Sequence, residues 1–315
     1  MSAGQPALQV EPGGEVPYLA TDGDRHLDQL TVVQLVADQF PELDGQDVTS
    51  LGAGWDHDVF LCGGVVFRFP KRAERVAWLT RETEIVRLAG IALGPSVPKF
   101  SYLGRPSAQF PYPFVGYRLM DGIPAGQPAA DVGVLADDLG TTLTTLHNVD
   151  TEHVPSTPTR EEPLGAGGHR ADLSWCVNDL RAGLPLDLRA VAEPYLSGSL
   201  PRPRFTGRRV LAHNDICAEH VLVDAVSGHL SGLIDWTDAM VTDPVVDFVG
   251  LITIGDWCFV RAVLAAYGLP VDDDFGRRLE WLTRTMTLVW LGEAMQEQAT
   301  DLGRHLAWVR RAFDE

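Results

Sequence analysis

Paired cysteines are missing from this chain. Its 315 residues include four, Cys62, Cys176, Cys217 and Cys258, without the spacing of a disulfide framework. That usage points to free thiols in a reducing compartment, and so to a cytoplasmic location. Cys217-x-x-His220 lacks the second ligand pair of a structural zinc site, so zinc is not expected. Long apolar runs are missing too. The nearest candidate, Val245 to Ile254, is interrupted by Asp247 and falls short of the roughly 18 residues that suggest a membrane span. The N-terminus, Met1-Ser-Ala-Gly-Gln-Pro, has no basic region followed by an apolar core, and a secretory signal is not expected. Positive charge is scarce: 25 Lys and Arg stand against 43 Asp and Glu, a formal net charge of −18. Such a chain repels a nucleic-acid backbone and offers no basic patch to an anionic membrane. The acidic excess suits an amine-bearing small molecule, or simply solubility.

What is present is ordinary for a globular protein: 45% hydrophobic and 22% charged residues, with length enough for about two domains. No pattern specifies an assembly, and a monomer or weak dimer is expected.

The chain is organised around Val210-Leu-Ala-His-Asn-Asp-Ile-Cys-Ala-Glu-His-Val-Leu-Val-Asp224, followed by Leu230-Ser-Gly-Leu-Ile-Asp-Trp236 and Asp243-Pro-Val-Val-Asp247. Three short apolar runs, Val210 to Ala212, Val221 to Val223 and Leu233 to Ile234, read as brief buried strands. Ser227-Gly228 is a tight-turn signal that makes a hairpin of the second and third. His220 at the start of one arm then meets Asp235 at the end of the other. Asp215 lies on the loop feeding the first arm, so a base and two metal-ligand groups converge, as phosphoryl transfer requires. Asp243 and Asp247 read as structural, holding the loop and the start of the next helix.

Upstream, Val48 to Phe69 reads as strand, glycine loop, strand, Gly-Gly turn, strand. Val65-Val-Phe-Arg-Phe69 places a cation inside an apolar strand, where it needs a partner. Glu82, on a helix from Leu79 to Leu88, is the candidate. Thr31-Val-Val-Gln34 fits a capping box opening a short helix closed by Pro41. Further strands are expected over Lys99 to Leu103 and Phe114 to Leu119. Helices are expected over Asp131 to His147, with Leu135, Leu139, Leu143 and Leu146 on one stripe, and over 171–183, 187–197, 257–267, 275–298 and 302–313. Residues 151–170 read as a long polar connection. In the tail, Asp256, Trp257, Glu280, Trp281, Trp290, Glu293 and Glu297 mix aromatics with carboxylates, a composition suited to an amine-bearing, partly apolar ligand.

His213-x-Asp215, a ligand position at His220 and Ile234-Asp235-Trp236 together resemble the catalytic loop and metal-binding aspartate of the kinase-like aminoglycoside phosphotransferase family. With His220 in place of the usual asparagine, the chain is most similar to the macrolide phosphotransferase branch. The resemblance implies an α+β, two-lobe protein-kinase-like fold. The lobes would be an N-lobe at 25–120 with an antiparallel sheet and one helix, and a mainly helical C-lobe at 121–315, preceded by a flexible leader at 1–24. It implies a small-molecule kinase acting on a hydroxyl of a macrolide- or aminoglycoside-like antibiotic, with Mg²⁺ and ATP or GTP as co-substrate. Asp215 would be the catalytic base, and His220 and Asp235 the metal ligands. Gly52, Gly54, Val59, Arg68, Glu82 and the hinge residue Met120 would meet the nucleotide, with His57 standing where the loop's third glycine is usual. His213 would orient the catalytic loop. A kinase of a metabolic alcohol or amino-sugar is the main competitor, and a metal-dependent hydrolase a more distant one.

Overall fold

The computed structural model describes residues 25–53, 56–126, 132–157 and 172–314. The expected leader at 1–24, Gly54 and most of the polar connection at 151–170 lie outside the described residues. The chain divides into two compact units: one runs to residue 91 and takes in 97–120 and the short segment from Pro155, and the other holds 92–96 and nearly everything from Asp121 onward.

The first unit opens with α1 (Gln29–Gln39). The helix begins two residues before the expected capping box, because the Asp28 carboxylate accepts the Thr31 amide at 2.7 Å and caps it directly. Three strands follow, β1 (Val48–Ala53), β2 (His57–Cys62) and β3 (Val65–Pro70). Gly63 and Gly64 join β2 to β3 at φ of 55° and 77°, the left-handed pair that a two-residue hairpin turn needs. After α2 (Glu74–Leu93), longer than expected at both ends, come β4 (Phe100–Gly104) and β5 (Phe114–Arg118). The five strands form one antiparallel sheet in the order β1-β2-β3-β5-β4. Alternation sorts the two faces of β3. Val65, Phe67 and Phe69 join a buried cluster with Val32, Leu35 and Val36 of α1, in which the Phe69 and Phe114 rings stack at 4.5 Å. Arg68 points the other way, toward α2.

The second unit contains β6 (Ile123–Pro124), α3 (Val132–His147), α4 (Val177–Gly183) and α5 (Leu186–Leu196). Next come β7 (Val210–Ala212), β8 (Val221–Val223), β9 (Leu230–Leu233) and β10 (Met240–Thr242). It ends with α6 (Val246–Val249), α7 (Trp257–Ala266), α8 (Phe275–Gln296) and α9 (Leu302–Phe313). The expected hairpin is the antiparallel pair β8–β9. The first short run, β7, pairs instead with β10, a strand that the sequence pattern does not announce. No helix among the described residues is long and apolar enough to cross a membrane.

The residues following α6 press against the loop after β7. A Cβ at Gly250 would sit 2.1 Å from the Ile216 carbonyl oxygen, a backbone atom that cannot rotate away. Gly250→Ala is therefore expected to lower stability by about 1–3 kcal/mol through overpacking. Urea denaturation checks this, and an unchanged midpoint would show that the loop can retreat at no cost.

Candidate active site

The loop from His213 to His220 is held by a carboxylate that lies 34 residues downstream of its first residue. Asp247 is completely buried. Its Oδ1 accepts the Asn214 amide at 2.6 Å and its Oδ2 the His213 amide at 3.0 Å. The same Oδ2 lies 3.0 Å from His147 Nε2, and His147 Nδ1 lies 2.8 Å from the Tyr267 hydroxyl. Because a carboxylate only accepts, the imidazole donates from Nε2 and receives the Tyr267 proton at Nδ1. Burial pushes the Tyr267 phenol up, so it stays a donor. Asp247, expected to be structural, holds the loop's backbone, and His147 steadies it from behind. Asn214 can then take a left-handed φ of 66°, with its side-chain amide donating to the Asp238 carbonyl at 3.1 Å.

His213 is buried, and burial pulls its pKa down, leaving the ring neutral. Its Nε2 donates to the Ile234 carbonyl at 3.1 Å, and its ring lies 4.5 Å from that of Trp236. His213 thus joins the loop to the end of the β8–β9 hairpin. The Ile234 amide donates to the His220 carbonyl at 3.0 Å, which sets His220 and Asp235 side by side.

His220 occupies the middle of the resulting group. Its Nδ1 is 2.9 Å from the Asp215 carbonyl oxygen and 3.2 Å from Asp215 Oδ2. Its Nε2 is 3.9 Å from Asp235 Oδ2. A proton on Nδ1 shared by those two acceptors leaves the Nε2 lone pair facing Asp235, the arrangement by which a carbonyl orients a metal-binding histidine. Asp235 has a left-handed φ of 61°, and Thr237 donates its hydroxyl to Oδ1 at 3.0 Å, so Oδ2 is the oxygen turned to His220. Burial pulls His220 down, but the hydrogen bonds and charges of Asp215 and Cys217 outweigh it and hold the ring well above its ordinary pKa. A cation at Nε2 would replace that second proton.

His220 Nε2 and Asp235 Oδ2 are the atoms that could hold a divalent cation: the 3.9 Å between them is less than the about 4.2 Å that separates two ligands each about 2.1 Å from one metal. The side chains of Asp215, His220 and Asp235 are 36%, 20% and 42% exposed, open enough to exchange ligands with solvent. The sequence places all three correctly as neighbours.

In the first unit the residues expected at the nucleotide form a row. Gly52 pairs with Val59, Val59 with Arg68, and Arg68 with Val115, across β1, β2, β3 and β5. Directly opposed residues share a face of the sheet. A side chain at Gly52 would meet nothing within 4 Å, and its φ is 134°. The row therefore runs from bare backbone through Val59 to the guanidinium of Arg68, which is buried and ion-paired with the fully buried Glu82. Ala53 and Asp58 are paired strand residues, and the Asp58 carboxylate accepts the Leu27 amide at 2.9 Å. His57 is buried on β2 with Nδ1 3.4 Å from Arg68 Nη2. Met120 follows β5. The adjacent Leu119 amide donates to the Gly64 carbonyl at 2.9 Å.

In the tail, Asp256 caps α7 by accepting the Cys258 and Phe259 amides, and Glu280 is ion-paired with Arg284. Arg278, which no sequence signal singled out, is buried and bridges Asp243 at 2.7 Å and Asp272 at 2.6 Å. Burial raises the Asp243 pKa against the pull of that guanidinium.

Asp247→Asn keeps the shape of the side chain but offers a single accepting oxygen and turns an NH₂ toward a donor. It is expected to cost about 3 kcal/mol, the upper range for charged hydrogen bonds, in urea denaturation. A loss below about 1 kcal/mol would mean that the loop amides find other partners.

Residues 47–281 match the phosphotransferase enzyme family (APH). No curated protein sequence matches the chain. Among solved structures, the GDP complex of wild-type aminoglycoside 2'-phosphotransferase-IIIa is 24% identical with a TM-score of 0.68, covering 91% of this chain and 98% of that one. The apoenzyme of macrolide 2'-phosphotransferase MphH from Brachybacterium faecium is 22% identical with a TM-score of 0.58, covering 91% and 99%. Spectinomycin phosphotransferase APH(9)-Ia, in complex with ADP and spectinomycin, is 13% identical with a TM-score of 0.62, covering 92% and 96%. The α+β, kinase-like expectation is met by the antiparallel sheet of the first unit and the mainly helical second, and the chain belongs to the phosphotransferase enzyme family.

Proposed function

We propose that this chain transfers the γ-phosphate of a nucleoside triphosphate to a hydroxyl of a macrolide- or aminoglycoside-like antibiotic and so inactivates it. The observation that carries the reading is His220, whose two ring nitrogens face Asp215 on one side and Asp235 on the other. A base and a metal position are thereby held in one short loop and one strand end. Asp215 accepts the hydroxyl proton as the acceptor oxygen bonds to the γ-phosphorus. The bond from that phosphorus to the bridging oxygen breaks, and the nucleoside diphosphate leaves. Arg68, kept in place by Glu82, meets phosphate oxygens with a planar fork that stays charged despite its burial. Gly52, lacking a side chain, leaves room on the same face, where Val59 offers an apolar surface to a base. His220 Nε2 and Asp235 Oδ2 would hold Mg²⁺, which when bound neutralises the charge of the phosphate oxygens.

The acceptor class rests on two supports. Similar structures contain GDP and kanamycin, gentamicin, or streptomycin and ATP. The net charge of −18 favours a cationic ligand over an anionic one.

The test is nucleotide consumption, with ATP and GTP separately and Mg²⁺ present, against macrolides, aminoglycosides, peptide antibiotics and metabolic alcohols, with mass spectrometry of the acceptor. A phosphorylated macrolide or aminoglycoside is expected, and Asp215→Ala is expected to reduce its formation by about 10²–10⁴-fold, the usual worth of a general base, with nucleotide binding retained. A product formed only from metabolic alcohols would overturn the antibiotic assignment. Phosphoester cleavage without a nucleoside triphosphate would replace the kinase with a metal-dependent hydrolase.

A further inference from the structure

The residues on the Nδ1 side of His220 make a second donor set, and it is a softer one. His220 Nδ1 lies 3.4 Å from Cys217 Sγ and 3.2 Å from Asp215 Oδ2, and one ligand atom from each of the three residues falls within 4.8 Å of the other two. Among the described residues this is the one group of three such side chains so placed. Tetrahedral zinc, with bonds of about 2.3 Å to sulfur, about 2.05 Å to imidazole nitrogen and about 2.0 Å to carboxylate oxygen, has nitrogen–sulfur and nitrogen–oxygen edges of about 3.6 and 3.3 Å. The observed separations are within about 0.2 Å of both edges. The Asp215 carbonyl oxygen, 2.9 Å from the same nitrogen, offers a fourth ligand, and all three side chains are partly open to solvent.

We propose that Asp215, Cys217 and His220 bind zinc, or another soft divalent cation, and that this switches the active site off. Thiolate and imidazole select such an ion over Mg²⁺, which prefers oxygen. Binding releases the thiol proton of Cys217 and the Nδ1 proton of His220 to water. The metal takes the Nδ1 lone pair, so the remaining ring proton resides on Nε2. One ion thereby draws the carboxylate of Asp215, the proposed base, into coordination and removes His220 Nε2 as a ligand for the productive metal. The sequence pattern Cys217-x-x-His220 lacks a second pair, but the fold supplies the third ligand from the residue two positions before the cysteine. The inhibitory consequence rests on the phosphotransfer reading; the binding does not.

The full-length chain should be titrated with Co²⁺, whose bond to thiolate gives a charge-transfer band in the near ultraviolet, and then with Zn²⁺ to displace it. One equivalent bound with that band is expected. Cys217→Ser should abolish the band and weaken zinc binding by about 100-fold, since loss of even an outer-shell partner costs about 10- to 100-fold. Cys258→Ser, at the exposed cysteine on α7, should retain both. In the wild-type chain, which needs no substitution to fold, Zn²⁺ and not Mg²⁺ should slow the alkylation of Cys217 by iodoacetamide. A band that survives Cys217→Ser, or a Cys217 that zinc leaves unprotected, would overturn the site. If both binding results hold and zinc still leaves phosphate transfer unaffected, the switch fails while the site stands.

Discussion

Two backbone amides meeting one buried carboxylate determine whether this protein has an active site. His213 and Asn214 both donate to Asp247, and further along the loop the Ala218 amide donates to the Thr253 hydroxyl at 2.8 Å. A charge buried to this degree is costly unless its lone pairs are filled. Here His147 takes a further one, and Tyr267 in turn steadies His147. The chain is thus compelled to bring α3, α7 and the start of α6 to the back of the loop. With its backbone fixed, the loop can present Asp215 and His220 forward, where they are partly exposed and chemically useful.

The same logic recurs in the first unit. Arg68 is a cation within a strand that is buried along its whole length, and Glu82 answers it from α2. The pair sets the guanidinium on the sheet face where Gly52 leaves a gap and Val59 lies between them. In each unit a buried carboxylate holds part of the site in place by hydrogen bonds: Asp247 the backbone of the loop, and Glu82 the guanidinium of Arg68.

How much of this was legible depended on distance along the chain. The β8–β9 hairpin could be read because Ser227-Gly228 marks its turn, and the hairpin alone places His220 near Asp235. Arg68 could be read because a lone cation among Val65, Val66, Phe67 and Phe69 demands a partner. Strand β10 could not, since three residues hold too little periodicity to distinguish from a loop. Nor could the bridge from Arg278 to Asp243, whose members stand 35 residues apart with no local pattern. Asp28 was passed over because a capping box starting at Thr31 fits the same letters; the carboxylate three residues earlier makes the stronger bond.

The central claim is that His220 Nε2 and Asp235 Oδ2 share one catalytic cation. The most direct measurement is electron spin-echo modulation of Mn²⁺ bound to the full-length chain with nucleotide, because manganese accepts both imidazole and carboxylate ligands. The account predicts coupling to an imidazole nitrogen, lost in His220→Asn while the bound Mn²⁺ remains. Mn²⁺ bound with nucleotide but with no coupled imidazole nitrogen would contradict it.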